Sequence, residues 1–152
     1  MMAIENKKAS TTVMLVDNSP IDNFVNEKII TRYQFADNVK IFAKSSNALK
    51  YLLKLNNISA DVNEMPFMLF LDLDMPEIDG FDFLNAFSLL SDKIRKNIKI
   101  VILTNSYDPI DIEKCKKHDS VVALFHKPLI RSNIVAIKLL LSDNLRHFHS
   151  FV

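Results

Sequence analysis

Short apolar runs and longer stretches of helical spacing alternate five times along the chain. Residues 12–16, 39–43, 67–71, 98–103 and 121–125 are largely apolar over strand length, the pattern of strands covered on both faces. After the first, Asn18 or Ser19 can cap a helix starting near Pro20, a favoured first-turn residue. Within that helix Ile21, Phe24, Val25, Ile29 and Ile30 recur at helical spacing. Ser45 or Ser46 starts a second helix carrying Ala48, Leu49, Leu52, Leu53 and Leu55. Further helices are predicted over about 81–90, 109–118 and 131–146. Five uninterrupted β-then-α units read as an α/β fold, a doubly wound parallel sheet with helices on both faces. Of the common strand orders, the five-stranded flavodoxin-like 2-1-3-4-5 fits.

This fold places its working crevice beyond the carboxyl ends of the strands, at the switch in strand order. The residues ending each strand are therefore the informative ones. The first strand ends in Asp17-Asn18, the third in Asp72 with Asp74 two residues on, the fourth in Thr104-Asn105-Ser106 and the fifth in His126-Lys127-Pro128. The strand order brings Asp17, Asp72, Thr104 and Lys127 to one shallow cleft. Crowded carboxylates repel and call for a cation, and oxygen ligands without His or Cys suit a hard ion such as Mg²⁺. A hydroxyl and an ammonium opposite can bind the oxygens of an added phosphoryl group. The set reads as a phosphoryl-transfer site built on a carboxylate nucleophile. A single Asp at such a place is more often a cap or a solvated loop residue, a Thr is a cap just as often, and Lys-Pro is a common turn. Their conjunction at successive strand ends is what points to chemistry.

Composition narrows the classes. The 152 residues are 49% hydrophobic and 24% charged, enough for a core and for solubility. A net charge of +1 argues against a general nucleic-acid binder. One glycine cannot build a Gly-rich phosphate cradle, and one cysteine excludes an internal disulfide and multi-cysteine metal sites. No apolar stretch approaches membrane-spanning length, and the first ten residues lack a signal peptide's apolar segment. A cytoplasmic location is the expectation, which makes the sequon at Asn57 a chance match.

The runs Val13-Met14-Leu15-Val16-Asp17-Asn18, Leu71-Asp72-Leu73-Asp74-Met75-Pro76-Glu77-Ile78-Asp79-Gly80, Ile102-Leu103-Thr104 and Lys127-Pro128 together resemble the receiver domain of two-component response regulators. The segment from Asp72 to Gly80 carries most of the likeness. It also gives the lone glycine a role, opening a helix at a turn whose backbone other residues avoid. The resemblance implies a receiver domain over 12–146, an N-terminal extension over 1–11 and a tail over 147–152. It further implies that Asp72 is the phosphoacceptor, taking its phosphoryl group from a phosphohistidine of a histidine kinase or phosphotransfer protein. Asp17, Asn18, Asp72 and the carbonyl of Asp74 would hold Mg²⁺, Thr104 and Lys127 would bind the phosphoryl group, and a cis bond would join Lys127 to Pro128. Such a domain promotes its own phosphorylation and dephosphorylation without being a turnover enzyme. With the chain ending soon after the last helix, it would act alone. It would signal to a downstream protein, or form a homodimer, through the face made by the helix over 109–118, the strand over 121–125 and the helix over 131–146. Neither nucleic acid nor membrane is expected as a partner.

Three positions depart from the family's pattern. Asn18 stands where a second acidic residue is usual, which predicts weaker metal binding, with Asp74 adding charge nearby. Leu124 stands where an aromatic ring usually switches, with Phe125 one residue later. Asn105 follows Thr104 where a small residue is usual and would narrow access. Two other readings stay open. One is a pseudo-receiver that binds partners without phosphorylation. The other is a haloacid-dehalogenase-type phosphatase, whose first motif resembles Phe70-Leu71-Asp72-Leu73-Asp74. The last helix is apolar over more than one stripe (Ile130, Ile134, Val135, Ile137, Leu139, Leu140, Leu141 and Leu145), suiting deep packing or a partner surface. His118, His126, His147 and His149 read as solvated.

Overall fold

The computed structural model describes residues 10–57, 65–142 and 150–151. Its elements follow the alternation of the sequence: β1 Thr12–Val16, α1 Pro20–Arg32, β2 Asn38–Phe42, α2 Ser45–Asn57, β3 Met68–Asp72, α3 Gly80–Ser88, α4 Asp92–Asn97, β4 Lys99–Thr104, α5 Pro109–Lys116, β5 Val121–His126, α6 Arg131–Ser142 and β6 Ser150–Phe151. The strands form one sheet in the order β2-β1-β3-β4-β5-β6, every neighbouring pair parallel. The predicted 2-1-3-4-5 order is therefore present. The two-residue β6 pairs with Ala123 and Leu124 beyond it, within the stretch expected to be a tail. Among the described residues no helix is long and apolar enough to cross a membrane.

Alternation along each strand splits the core in two. Met14, Val16, Leu69, Leu71, Ile100, Ile102 and Leu124 pack with Leu52 of α2, Phe83 and Phe87 of α3, Ile94 of α4 and Cys115 of α5. On the other face Val13, Leu15, Met68, Phe70, Val101, Leu103 and Phe125 pack with Ile30 of α1 and Ile134 and Ile137 of α6. A side-chain period of two assigns each strand residue to one layer. β4 and β5 slip register between Ile100 and Val101, so that Val122 is passed over and the parity of β5 changes there.

Four sequence expectations need correction. In α1, Ile21 and Phe24 are 75% and 59% exposed while Asn23 and Asn26 are buried. The reason is local. The first turns of α1 lie over loop backbone whose polar groups need partners, and Asn23 Nδ2 donates to the Asp17 carbonyl at 2.8 Å while Asn26 Oδ1 accepts from the Leu129 N–H at 3.4 Å. Second, Gly80 has no positive φ. It is glycine for space, since a Cβ there would stand 2.6 Å from Leu73 Cα and 2.9 Å from the Asp72 carbonyl oxygen. The left-handed residue of this loop is Glu77, at φ 67°. Third, α4 was not expected. Its signals are short, Asp92 in the first turn and Arg95 and Lys96 in the last, around the buried Ile94. Fourth, α6 is not deeply packed all round: it buries Ile134 and Ile137 and exposes Val135, Leu139 and Leu141, with Ile130 exposed just before its start. The predicted last turn of that helix, with Leu145, lies outside the described residues, as do His147 and His149.

Candidate functional site

Register brings the strand ends into line. Val16 stands opposite Leu71, Asp72 opposite Leu103, and Thr104 opposite His126. The first residue past β1, Asp17, thus lies on the same rim as Asp72, Thr104 and Lys127. Lys127 continues the ladder by one bond, its N–H donating to the Thr104 carbonyl at 3.0 Å, and its peptide bond to Pro128 is cis. Its ammonium then reaches across the rim to Asp17 Oδ2 at 2.7 Å, Asp22 Oδ2 at 2.9 Å and Asp72 Oδ2 at 3.2 Å. Asp17 and Asp72 are buried.

Each carboxylate is fixed by its own loop. Asp17 Oδ1 accepts from the Ser19 N–H at 2.8 Å, and Ser19 Oγ caps α1 by accepting from the Asp22 N–H at 3.2 Å, the side-chain cap that a helix start requires. Asp72 Oδ1 accepts from the Asp74 N–H at 3.2 Å. Thr104 is buried and its Oγ1 accepts from the Ser106 N–H at 3.0 Å. In that bond the hydroxyl is the acceptor, which leaves its own proton to donate.

Three carboxylates facing one ammonium leave the rim with an excess of negative charge. Burial raises the pKa of Asp72 above the ordinary carboxylate value, and the neighbouring Asp17 adds to this; Lys127 and the Asp74 N–H pull the other way without cancelling it. Burial works against the charged form of Lys127, but hydrogen bonds to Asp17 and Asp22 and the charge of Asp72 outweigh it and raise its pKa. The chain's lone thiol offers no rival nucleophile. Cys115 is buried, and burial, with Asp111, pushes its pKa up to about 11.

The fit to a divalent cation can be judged from these contacts. The Lys127 ammonium already stands as a cation held between Asp17 and Asp72, and their oxygens are the donors a hard ion prefers. Among the described residues no three of His, Cys, Asp and Glu converge to hold a metal by themselves. A cation here therefore depends also on neutral oxygens and on movement of the lysine. Asn18 and Asp74 are both exposed at the mouth of the rim.

Of the residues singled out in the sequence, Asp17, Asp72 and Lys127 meet directly, Thr104 adjoins them through the backbone of Lys127, and Asn18 and Asp74 flank them. Asp22 was missed. Its signal was its place in the first turn behind the Ser19 cap, which turns it back over Asp17. Leu124 faces the layer of α2 to α5 and Phe125 the opposite layer, so Phe125 does not take the place of a ring at 124. His126 is not solvated as expected. Its Nε2 lies 3.1 Å from the Ser106 carbonyl and its ring stacks on Tyr107, with centroids 3.8 Å apart. His118 is half-buried, and burial lowers its pKa. Asn105 is exposed.

Comparison with known proteins bears on the fold and the family. A curated relative, the two-component response regulator ORR1 of Oryza sativa subsp. japonica, is 26% identical over 113 residues, 74% of this chain; this chain spans 47% of that protein's length. A two-component response regulator from Cytophaga hutchinsonii superposes with a TM-score of 0.78 at 22% identity, covering 90% of this chain and 100% of its own. A response regulator receiver protein from Dyadobacter fermentans does so with a TM-score of 0.71 at 26% identity, covering 86% and 95%. Residues 13–137 match the sequence profile of the response regulator receiver domain. With that match running from the first strand into the last helix, the chain belongs to the family of response regulator receiver domains.

Proposed function

We propose that Asp72 accepts a phosphoryl group from a phosphohistidine of a histidine kinase or phosphotransfer protein, and that the phosphorylated chain signals by protein contact in the cytoplasm. Receiver domains are signalling modules and in general not turnover enzymes, which supports this reading over a phosphatase. In the transfer, a carboxylate oxygen of Asp72 attacks phosphorus as the P–N bond breaks and its electron pair returns to the imidazole nitrogen. The aspartyl acyl phosphate results. Asp17, Asn18, Asp72 and the carbonyl of Asp74 would hold Mg²⁺, which supplies charge neutralisation at the phosphoryl oxygens. Thr104 donates its hydroxyl proton to one of those oxygens, and Lys127 pairs with another. The observation that carries this reading is the 3.2 Å contact between Lys127 Nζ and Asp72 Oδ2, with Asp17 on the same ammonium at 2.7 Å.

The output contact is assigned to the face of α5, β5 and α6, where Ile110, Val135 and Leu139 are exposed. Homodimerisation is one form that contact can take. The test of phosphorylation is incubation with acetyl phosphate and Mg²⁺ followed by intact mass measurement. A gain of one phosphoryl group, abolished by Asp72→Asn, is expected. Two observations favour a pseudo-receiver instead: position 18 carries an amide, and Lys127 is already held by three carboxylates. Under saturating Mg²⁺ that reading predicts no mass gain.

A further inference from the structure

Lys127 has more partners than its proposed role needs. To pair with a phosphoryl group on Asp72 it must leave Asp17, and a divalent cation at Asp17 and Asp72 would repel it from both. Its third partner is different in kind. Asp22 lies in the first turn of α1, its side chain 34% exposed where those of Asp17 and Asp72 are each 5% exposed, so it stands at the open edge of the rim. It is nonetheless tied to the rim, since Ser19 bonds Asp17 Oδ1 through its N–H and caps the Asp22 N–H through its Oγ. These two bonds through Ser19 fix Asp22 relative to Asp17, and its Oδ2 is 2.9 Å from Lys127 Nζ. Asn18, meanwhile, brings no charge to help gather a cation.

We infer that Asp22 is a positioning residue that takes over the Lys127 ammonium when a divalent cation enters between Asp17 and Asp72, so that the lysine's charge is drawn off the two carboxylates the cation needs. Asp22 acts through Lys127 and not as a ligand. The lysine shifts from shared contact with three carboxylates to contact with Asp22 alone, and remains close enough to meet an arriving phosphoryl group. This inference rests on the Mg²⁺-dependent reading above.

The test is calorimetric titration of Mg²⁺ into the unphosphorylated chain and its variants, each checked for folding by circular dichroism. Asp22→Asn is expected to weaken Mg²⁺ binding roughly tenfold, as loss of a partner behind the ligands commonly does, and Asp22→Glu to restore most of it. In a Lys127→Gln background, adding Asp22→Asn should change affinity by less than about twofold, because no ammonium remains to be held. Affinity of Asp22→Asn within about twofold of the parent overturns the inference. So does an equal loss with and without Lys127, which would make Asp22 a ligand or a bare charge. Should Lys127→Gln fail to fold, the side-chain resonance of Lys127 in isotope-labelled protein decides: it keeps its ion-paired position on Mg²⁺ saturation in the parent and moves to the solvated position in Asp22→Asn. The same position in both overturns the inference. Failure of the parent chain itself to bind Mg²⁺ is a different result, and counts against the proposed function instead.

Discussion

At the scale of single residues the rim is a contest between burial and charge. The pKa of Asp72 is raised by burial first and by Asp17 second, so the folded state holds the Asp72 proton more tightly than the unfolded chain does. The stability contributed by the protonated form is present below the ordinary value of 3.8 and is lost as pH rises through the raised value. At neutral pH the ionised Asp72 is therefore a standing cost in metal-free protein. Asp72→Asn is expected to raise the melting temperature by a few degrees in metal-free buffer at neutral pH, while abolishing phosphoryl uptake. The gain should vanish when melts are repeated below the ordinary carboxylate range. A lower melting temperature at neutral pH would mean that the bond from Lys127 to Asp72 outweighs burial and repulsion.

At the scale of elements, α1 reverses the usual arrangement over its first turns, with amides inward and apolar side chains outward. Hydrophobic spacing legibly predicted the helix, its start at Pro20 and the inward Ile29 and Ile30, but assigned the face of its first turns wrongly. Spacing registers which residues could share a stripe; it does not register the orphaned backbone groups of a loop drawn up beside them. The consequence can be measured by urea denaturation. Asn26→Leu should destabilise by about 1–3 kcal/mol, because the buried Leu129 N–H loses its acceptor. Phe24→Ser should stay within about 0.5 kcal/mol, because that ring is mostly in solvent. A core-facing Phe24 would give the reverse ranking. Gly80 makes a related point. Its place in the motif was legible, but the reason for it is the closeness of Leu73 Cα, a contact between segments brought together by the turn.

At the scale of the molecule, the sheet divides the proposed output surface. α5 packs on one layer and α6 on the other, and β6 pairs along Ala123 and Leu124, so at that level the strand edge between the helices is covered by β6. A partner on this face meets the exposed stripe of α6, Val135 and Leu139, before it meets β5. Leu139→Arg should leave phosphoryl uptake unchanged while removing any phosphorylation-dependent dimer seen by analytical ultracentrifugation. Self-association of equal strength in the variant would move the contact elsewhere. The stack of Tyr107 on His126 sits beside Thr104 on this same side, where Leu124 has no ring to offer.

What the sequence by itself determined is the alternation of the five main strands with their helices, short of α4 and β6, and the strand ends that carry Asp17, Asp72, Thr104 and Lys127. Both follow from local rules, since period and run length report how an element is covered, and the residue ending an apolar run must lie at the rim. Only the tertiary structure decided which groups meet there. The bond between Lys127 and Asp22 joins residues 105 positions apart. The inward turn of Asn23 and Asn26, the opposite layers of Leu124 and Phe125, and the stacking of His126 belong to the same class. Each depends on which surface is packed against which, and that information is a property of the folded chain as a whole, carried by no single stretch of it.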